Sequence, residues 1–164
     1  ESGLCRRTLY SYYESKIDVY QAVVSNEMSK VLERLKLVAA LDMPIQQKIM
    51  ELIYAHFKVL KEVIDNNGTL KSSFFRNIWY LEHFRKDFDE QEKLILQSVI
   101  MEGKSMGVFH VSNVKRAADV INYCMRGFEV PYISGRLWRV NTKEEIKQDT
   151  QKMVFGALGC IDKF

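Results

Sequence analysis

The residues with the clearest capacity for chemistry lie together near the start of the chain. Arginine pairs bidentately with guanine edges, while hydroxyl and phenol groups donate hydrogen bonds to phosphate oxygens. Such side chains on one short helix would suit the major groove of duplex DNA. Six neighbouring residues have this character: Arg6, Arg7, Thr8, Tyr10, Ser11 and Tyr12.

The glycine and the apolar residues next to these polar side chains predict a turn followed by a short helix. Gly3 can adopt the positive φ angle of a sharp turn between helices. Leu4, Leu9 and Tyr13 follow at intervals of four or five residues, which favours a short helix with these three turned inward. The cationic, hydroxyl and phenol side chains would then face outward.

This segment resembles the DNA-reading end of TetR-family transcriptional regulators, where a G-[VL]-S-x-x-T-[LI]-Y-x-[YH]-F-x-[SN]-K run spans the recognition helix of a helix-turn-helix. Cys5 replaces the serine that commonly caps this helix, at a cost of about 1 kcal/mol of helix stability. Ile17 replaces a common acidic residue. The matching positions are Gly3, Leu4, Thr8, Leu9, Tyr10, Tyr12, Ser15 and Lys16, continued by Ala22 and Val23.

The resemblance implies a role for each polar residue of the segment. Thr8 and Tyr10 would donate to phosphates, and Lys16 would hold the DNA backbone. The two arginines would carry most of the sequence discrimination. The implied DNA-binding set is Arg6, Arg7, Thr8, Tyr10, Ser11, Tyr12 and Lys16.

The family places two further helices before the turn, whereas only Glu1 and Ser2 precede Gly3 here. We therefore expect roughly 30 upstream residues to complete the helix-turn-helix. Without them, the sequence as given is not expected to bind DNA well.

Composition fits one helical domain with a fragment of a second. The 164 residues are 47% hydrophobic and 12% aromatic, with a formal net charge of only +3. No uninterrupted apolar run reaches the roughly 18 residues of a membrane span. Cys5, Cys124 and Cys160 are widely spaced, form no metal or redox pair, and fit a reducing cytoplasm.

Helical periodicity dominates, so we expect an all-α, TetR-like fold. A long helix should begin at Ser15 and run to about Val38, and a second should follow Asp42 and Pro44 and end at residues 66–68. Residues 1–38 would form the end of the DNA-binding domain plus a connecting helix. Residues 42–164 would form a helical ligand-binding and dimerisation domain.

The rest of the chain predicts four more helices. One covers residues 69–86, and Asp87 or Asp89 opens another that stops near Gly107. Ser112 should cap a helix that reaches about Val130, where Pro131 ends or kinks it. Residues 142–145 have the spacing of a capping box that starts the last helix.

Two downstream patches strengthen the resemblance. Residues 102–109 are similar to an E-G-x-x-x-G-x-F turn that is common between two body helices of TetR-like proteins. Residues 117–121 are similar to the A-A-x-x-I run that often follows it.

Aromatic side chains in the body have two interpretations. At helical spacing they are most simply core packing, but the family implies a cavity for a small hydrophobic effector. The candidate pocket residues are Tyr54, Phe57, Phe75, Trp79, Tyr80, Met101, Tyr123 and Phe128.

The last two helices carry apolar stripes that also have two interpretations. They could complete a monomer core, whereas the family pairs these helices across a two-fold axis. A homodimer of that kind would bind a palindromic operator with half-sites roughly 34 Å apart. The candidate interface residues are Ala117, Ile121, Cys124, Met125, Met153, Val154, Ala157 and Leu158.

We find no catalytic or metal motif in the sequence. His56, His83 and His110 lie far apart, and the usual Glu-x-x-His and Cys-x-x-Cys spacings are absent. We therefore expect no cofactor and no enzyme activity, and predict a cytoplasmic, ligand-responsive transcriptional repressor.

Two alternatives stay open. A dry body core would favour an interaction or nucleoid-associated adaptor without an effector, and facing carboxylates or histidines inside a cavity would favour a small helical enzyme.

Overall fold

The computed structural model describes residues 12–66, 78–138 and 142–160, with the backbone alone for residues 16, 17, 78–84 and 138. Within these ranges the chain forms α-helices and one short 3-10 turn, and no strand. The prediction of an all-α fold is confirmed. The helices are α1 (Lys16–Ala39), α2 (Ile45–Asn66), α3 (Ile78–Ser105), α4 (Val114–Ile133) and α5 (Lys143–Ala157), with the 3-10 turn at Arg136–Trp138.

Helix α1 begins where its capping residue predicts. The Ser15 hydroxyl oxygen accepts a hydrogen bond from the Asp18 backbone N–H at 3.2 Å, and Asp18 lies in the first turn, beside the positive end of the helix dipole. At 1.5 Å per residue, the 24 residues of α1 span about 36 Å. Val24, Val31 and Leu35 are buried along one face, which packs against α2 and α3.

Helix α3 corrects the predicted break at Asp87 or Asp89. The helix runs without interruption from Ile78 to Ser105, and residues 69–77 of the predicted preceding helix lie outside the described residues. Its buried face continues across the expected break through Arg85, Phe88 and Glu92, which recur at intervals of three and four. Asp89 is buried and pairs with Arg85 instead of capping a helix.

The ends of α4 and α5 depend on local hydrogen bonds. Asn113, not Ser112, caps α4, because the Asn113 side chain accepts from the Arg116 backbone N–H at 2.8 Å. Pro131 falls in the last turn, and the helix continues to Ile133 rather than ending near Val130. The predicted capping box of α5 is confirmed, with reciprocal hydrogen bonds between Thr142 and Glu145.

The turn between α3 and α4 explains the pattern of residues 102–109. Phe109 is buried against Gly103 so closely that a Cβ at Gly103 would lie 2.2 Å from its ring. Gly107 has a φ angle of 72°, which reverses the chain after α3. The His110 backbone N–H then donates to the carbonyl of Leu158, so the end of α5 is attached to the same turn.

Helices α2, α3 and α4 each contact the other two, and they enclose the centre of the body. Helix α1 covers α2 and α3 on one side, and α5 packs against α4 on another. The body therefore has an interior between three helices and two further junctions, where α1 and α5 pack against them.

Candidate functional sites

The predicted DNA-binding residues lie mostly outside the described residues. Arg6, Arg7, Thr8, Tyr10 and Ser11 belong to the undescribed start, and only the backbone of Lys16 is described, as the first residue of α1. Tyr12 is 81% exposed, which leaves its phenol accessible to an external partner. The DNA-binding role of the set stays a prediction.

The centre of the body contains polar side chains that we call the core ion network. It joins all three helices of the central triangle, and six of its members are at most 8% exposed. Burial of so many ionisable groups is uncommon unless they are paired with one another. The network comprises His56 on α2, Arg85, Asp89 and Glu92 on α3, and Asn122 and Glu129 on α4, with the less buried Arg126 at its edge.

His56 lies between two carboxylates. Its Nδ1 is 2.5 Å from Oε1 of Glu92, and its Nε2 is 3.1 Å from Oε1 of Glu129. The second oxygen of Glu92 accepts a hydrogen bond from the Asn122 side chain at 2.8 Å. One imidazole thus connects α2 to both α3 and α4.

Arg85 closes the other side of the network. Its two terminal nitrogens donate to the two oxygens of Glu129 at 2.5 and 2.7 Å, a bidentate pair. Asp89 contacts Arg85 and Arg126, each at 3.4 Å. Phe88 lies with its ring centre 5.5 Å from the guanidinium carbon of Arg85, within the range of a cation–π contact. The Nε of Arg85 is buried and has no hydrogen-bond partner among the described residues.

The pairing fixes the charges of the network. Burial alone would lower the pKa of His56, but the adjacent Glu92 and Glu129 more than offset it and raise that pKa to about 9. Burial alone would raise the pKa of Glu129, but Arg85 and His56 lower it to about 2. Hence His56 is a cation and Glu129 an anion at neutral pH.

These groups could perform acid–base chemistry in an open site, but here they are occupied by one another. Both ring nitrogens of His56 and both oxygens of Glu129 already contact protein partners. Among the described residues, no His, Cys, Asp and Glu side chains are grouped so that they could hold a metal ion. The core ion network joins three helices through buried ionic contacts.

The core ion network was not predicted from the sequence, although polar residues at inward positions of α2 and α4 are a signal of it. His56 occupies an inward position in the α2 stripe between Ile53 and Leu60, and Glu129 lies one turn after Met125 on the buried face of α4. A polar residue at an inward position indicates a buried partner. The partner itself lies on another helix, and helical periodicity does not reveal it.

Two of the predicted pocket residues, Met101 and Tyr123, lie on the outside of the body. Met101 and Tyr123 are 54% and 62% exposed, because their positions on α3 and α4 face away from the central triangle, so they line no internal cavity of the single chain. Phe57 is buried and stacks on Tyr132 at 5.1 Å, while Tyr54 and Phe128 are half-buried. The side chains of the remaining candidates, Phe75, Trp79 and Tyr80, lie outside the described residues.

An apolar groove of about 80 Å³ lies where α2, α4 and α5 meet. It combines residues that the sequence analysis assigned to the pocket with others assigned to the interface. This volume is far below the several hundred cubic ångströms of typical ligand pockets. Its lining is Ile53, Phe57, Val120, Ile121, Cys124, Met125, Phe128, Thr150, Met153, Val154 and Ala157.

The predicted interface residues divide into two groups. Ile121, Met125, Val154 and Leu158 are buried within the single chain, so they hold α4 and α5 to the body and correct the expectation of an accessible surface there. Ala117 and Cys124 are half-buried, whereas Met153 and Ala157 are exposed beside the groove. Val120 and Tyr123, which the interface prediction omitted, are 48% and 62% exposed on the same helix as the groove.

Two solved structures share the architecture of this chain. The TetR-family transcriptional regulator PfmR of Thermus thermophilus superposes with a TM-score of 0.64 at 12% identity, covering 98% of this chain and 85% of that protein. A regulatory protein of the tetR family from Rhodococcus RHA1 superposes with a TM-score of 0.66 at 16% identity, covering 97% and 82%. The chain has the TetR fold. This confirms, at the level of fold, the resemblance carried by the first residues of the sequence.

No protein-family model matches the chain, and no match was found among the curated proteins. At such low identity the TetR fold specifies the arrangement of helices and not the ligand or the operator. Among the described residues, no helix is both long enough and apolar enough to cross a membrane.

Proposed function

We propose that the protein is a TetR-type transcriptional repressor that binds a palindromic operator as a homodimer and responds to a small molecule. The observation that carries this proposal is the position of the DNA-reading motif. Residues 3–16 lead into a helix of about 36 Å that begins at Lys16, in a chain with the TetR fold over nearly its whole length. Such a protein would act in the cytoplasm, as the spacing of its cysteines suggests.

The proposal assigns separate roles to the two parts of the chain that α1 connects. Residues 1–38 would comprise the end of the DNA-binding domain and the connecting helix, and residues 42–164 the ligand-binding and dimerisation domain. Because α1 packs against both α2 and α3, a change in the body would tilt the helix that carries the DNA-reading end. A tenfold loss of operator affinity requires about 1.4 kcal/mol of coupling free energy.

The proposed homodimer would use the outer surface of α4 and α5. Val120 and Met153 line the apolar groove, Tyr123 lies on the same helix as Val120, and all three large side chains are left exposed. Repeating the same patch on a second copy would cover them in a two-fold interface. The buried neighbours Ile121 and Val154 would provide a rigid floor beneath that interface.

A selection from a pool of random DNA duplexes tests the proposed function with the full-length protein. We expect a palindromic consensus, which the double variant Arg6→Ala, Arg7→Ala fails to enrich because the arginines supply most base discrimination. Lys16→Ala should weaken binding to all duplexes alike and reduce the slope of affinity against salt by about one. The exposed Lys58→Ala on α2 is the matched control. Absence of any enriched sequence would contradict the proposal.

One observation favours a second candidate, a DNA-binding or adaptor protein on the same scaffold without an effector. The centre of the described body is filled by the core ion network, and the apolar groove is small. A small helical enzyme is disfavoured, because the imidazole of His56 and the carboxylate of Glu129 are closed by their own partners. The response of operator affinity to a small molecule distinguishes the first two candidates.

A further inference from the structure

We propose that an amino acid or a similar small zwitterion binds in the cleft between α1 and α3 and acts as the effector. The proposal rests on the proposed regulatory function and replaces the expected hydrophobic effector with a polar one. The cleft has a volume of about 260 Å³, roughly three times that of the apolar groove. This approaches the lower end of ligand pockets, about 300 Å³, and suits a small molecule.

The two walls of the cleft differ from its floor. Gln21, Ser25 and Ser29 project from α1, while Lys86, Asp87 and Gln91 project from α3. All six wall residues are exposed and polar, whereas the floor is buried and apolar. The floor consists of Met28, Leu32 and Phe88.

The polar walls define the class of ligand. Lys86 offers a cation for a carboxylate, and Asp87 offers an anion for an ammonium group. Lys86 has an electrostatic interaction with the exposed Glu90, one turn along α3, and it stays exposed beside the cleft, as do Asp87, Gln21 and Gln91. A molecule with both charges and a short carbon skeleton would match the walls and the apolar floor together.

Phe88 connects the cleft to the centre of the body. Its side chain is 3% exposed and forms part of the cleft floor, and its ring faces the guanidinium of Arg85 at 5.5 Å and the imidazole of His56 at 6.3 Å. Movement of Phe88 would therefore disturb the ionic contacts that join α2, α3 and α4. A ligand that bridges the walls would also fix the angle between α3 and α1, the helix that carries the DNA-reading end.

Such a ligand changes DNA binding only if it binds one arrangement of α1 and α3 more tightly than the other. This condition can be measured with the full-length protein and its selected operator. The probes are the standard L-amino acids, with acetate and methylamine as single-charge controls. For each probe, the midpoint of thermal unfolding and the operator affinity are recorded.

We expect at least one amino acid at about 100 times its Kd to raise the unfolding midpoint by roughly 5 °C or more. The same amino acid should change operator affinity by at least about tenfold, whereas neither single-charge control should do so. Lys86→Gln, Asp87→Asn and the cleft-filling Ser25→Trp should each abolish both effects. Lys115→Gln, an exposed lysine on α4, should retain them.

The proposal is overturned if no amino acid shifts the midpoint, or if the shift persists unchanged in all three cleft variants. It is also overturned if a ligand binds in the cleft without changing operator affinity. Each variant is tested for selection of the same operator without ligand. Intact operator binding together with absent ligand effects would refute the cleft proposal alone, whereas absent operator binding in the unsubstituted protein would refute the regulatory function.

Discussion

At the scale of single residues, His56 carries the most physical information. It is fully buried and nevertheless charged, because Glu92 and Glu129 contact its two ring nitrogens. Local rules could not predict this state. Ser15 and Thr142 were predicted as helix caps because a cap bonds to its own helix within three residues. The partners of His56 are 36 and 73 residues away.

Because His56 is protonated in the folded state, the free energy of unfolding should decrease as the pH becomes alkaline. Its pKa of about 9 in the folded state exceeds the ordinary value of 6.5, so folding favours the protonated form. The stabilisation is therefore complete below pH 6.5 and is lost as pH rises to about 9. We expect the free energy of unfolding, measured with urea, to fall by up to about 3 kcal/mol across this window. His56→Gln should remove most of this dependence, and an unchanged slope would contradict the assignment.

Glu129 tests the buried pairing from the opposite side. Glu129→Gln leaves the guanidinium of Arg85 buried without its bidentate carboxylate. Breaking a buried ion pair by neutralising one partner costs about 3–5 kcal/mol, so the unfolding midpoint in urea should fall markedly. The exposed Glu33→Gln on α1 should change the free energy of unfolding by less than about 0.5 kcal/mol. Equal effects of the two substitutions would show that the network adds nothing to stability.

At the scale of helices, the sequence predicted the boundaries best where a capping residue or a glycine turn marks them. The start of α1, the end of α3 before Gly107 and the start of α5 follow from caps and turns in the local sequence. The false break in α3 arose because Asp87 and Asp89 resemble capping residues. Asp89 instead has long-range ionic contacts with Arg85 and Arg126, which the sequence does not reveal.

Gly103 offers a test of the α3–α4 turn. A Cβ at this position would lie 2.2 Å from the Phe109 ring, so Gly103→Ala must displace a buried aromatic side chain. We expect a loss of roughly 1–3 kcal/mol of unfolding free energy, measured by chemical denaturation. Gly127→Ala in α4 is the control, because nothing lies within 4 Å of its added Cβ and alanine favours a helix. Loss of stability at Gly127 with none at Gly103 would contradict this packing.

At the scale of the whole molecule, the sequence predicted that α4 and α5 carry apolar surface. It did not show which of their apolar residues are buried in the body and which are exposed on its surface. Ile121 and Met125 are buried in the body, whereas Val120 and Tyr123 are exposed, although all four residues are close together in the sequence. One step along a helix turns a side chain by about 100°, so a small error in the assumed phase exchanges the two groups. Only the tertiary packing of α4 against α2 and α3 fixes that phase.

The exposed side of α4 can be tested for dimerisation directly. Val120→Glu and Tyr123→Glu place a carboxylate in the proposed two-fold interface, where burial would penalise its charge. We expect each to weaken self-association by at least about tenfold in sedimentation equilibrium. Leu94→Glu replaces a leucine on α3 that is 62% exposed, and it should leave self-association unchanged. Equal behaviour of all three variants would exclude this surface as the interface.

In the proposed complex, two copies of this chain place their opening residues in successive grooves of one duplex. The most direct measurement is the mass of the complex between the full-length protein and its selected duplex, combined with footprinting at base resolution. We predict two chains per duplex and two symmetric protected half-sites about one helical turn apart, roughly 34 Å. A protein that stays monomeric and leaves duplex DNA unprotected at low ionic strength would contradict the account.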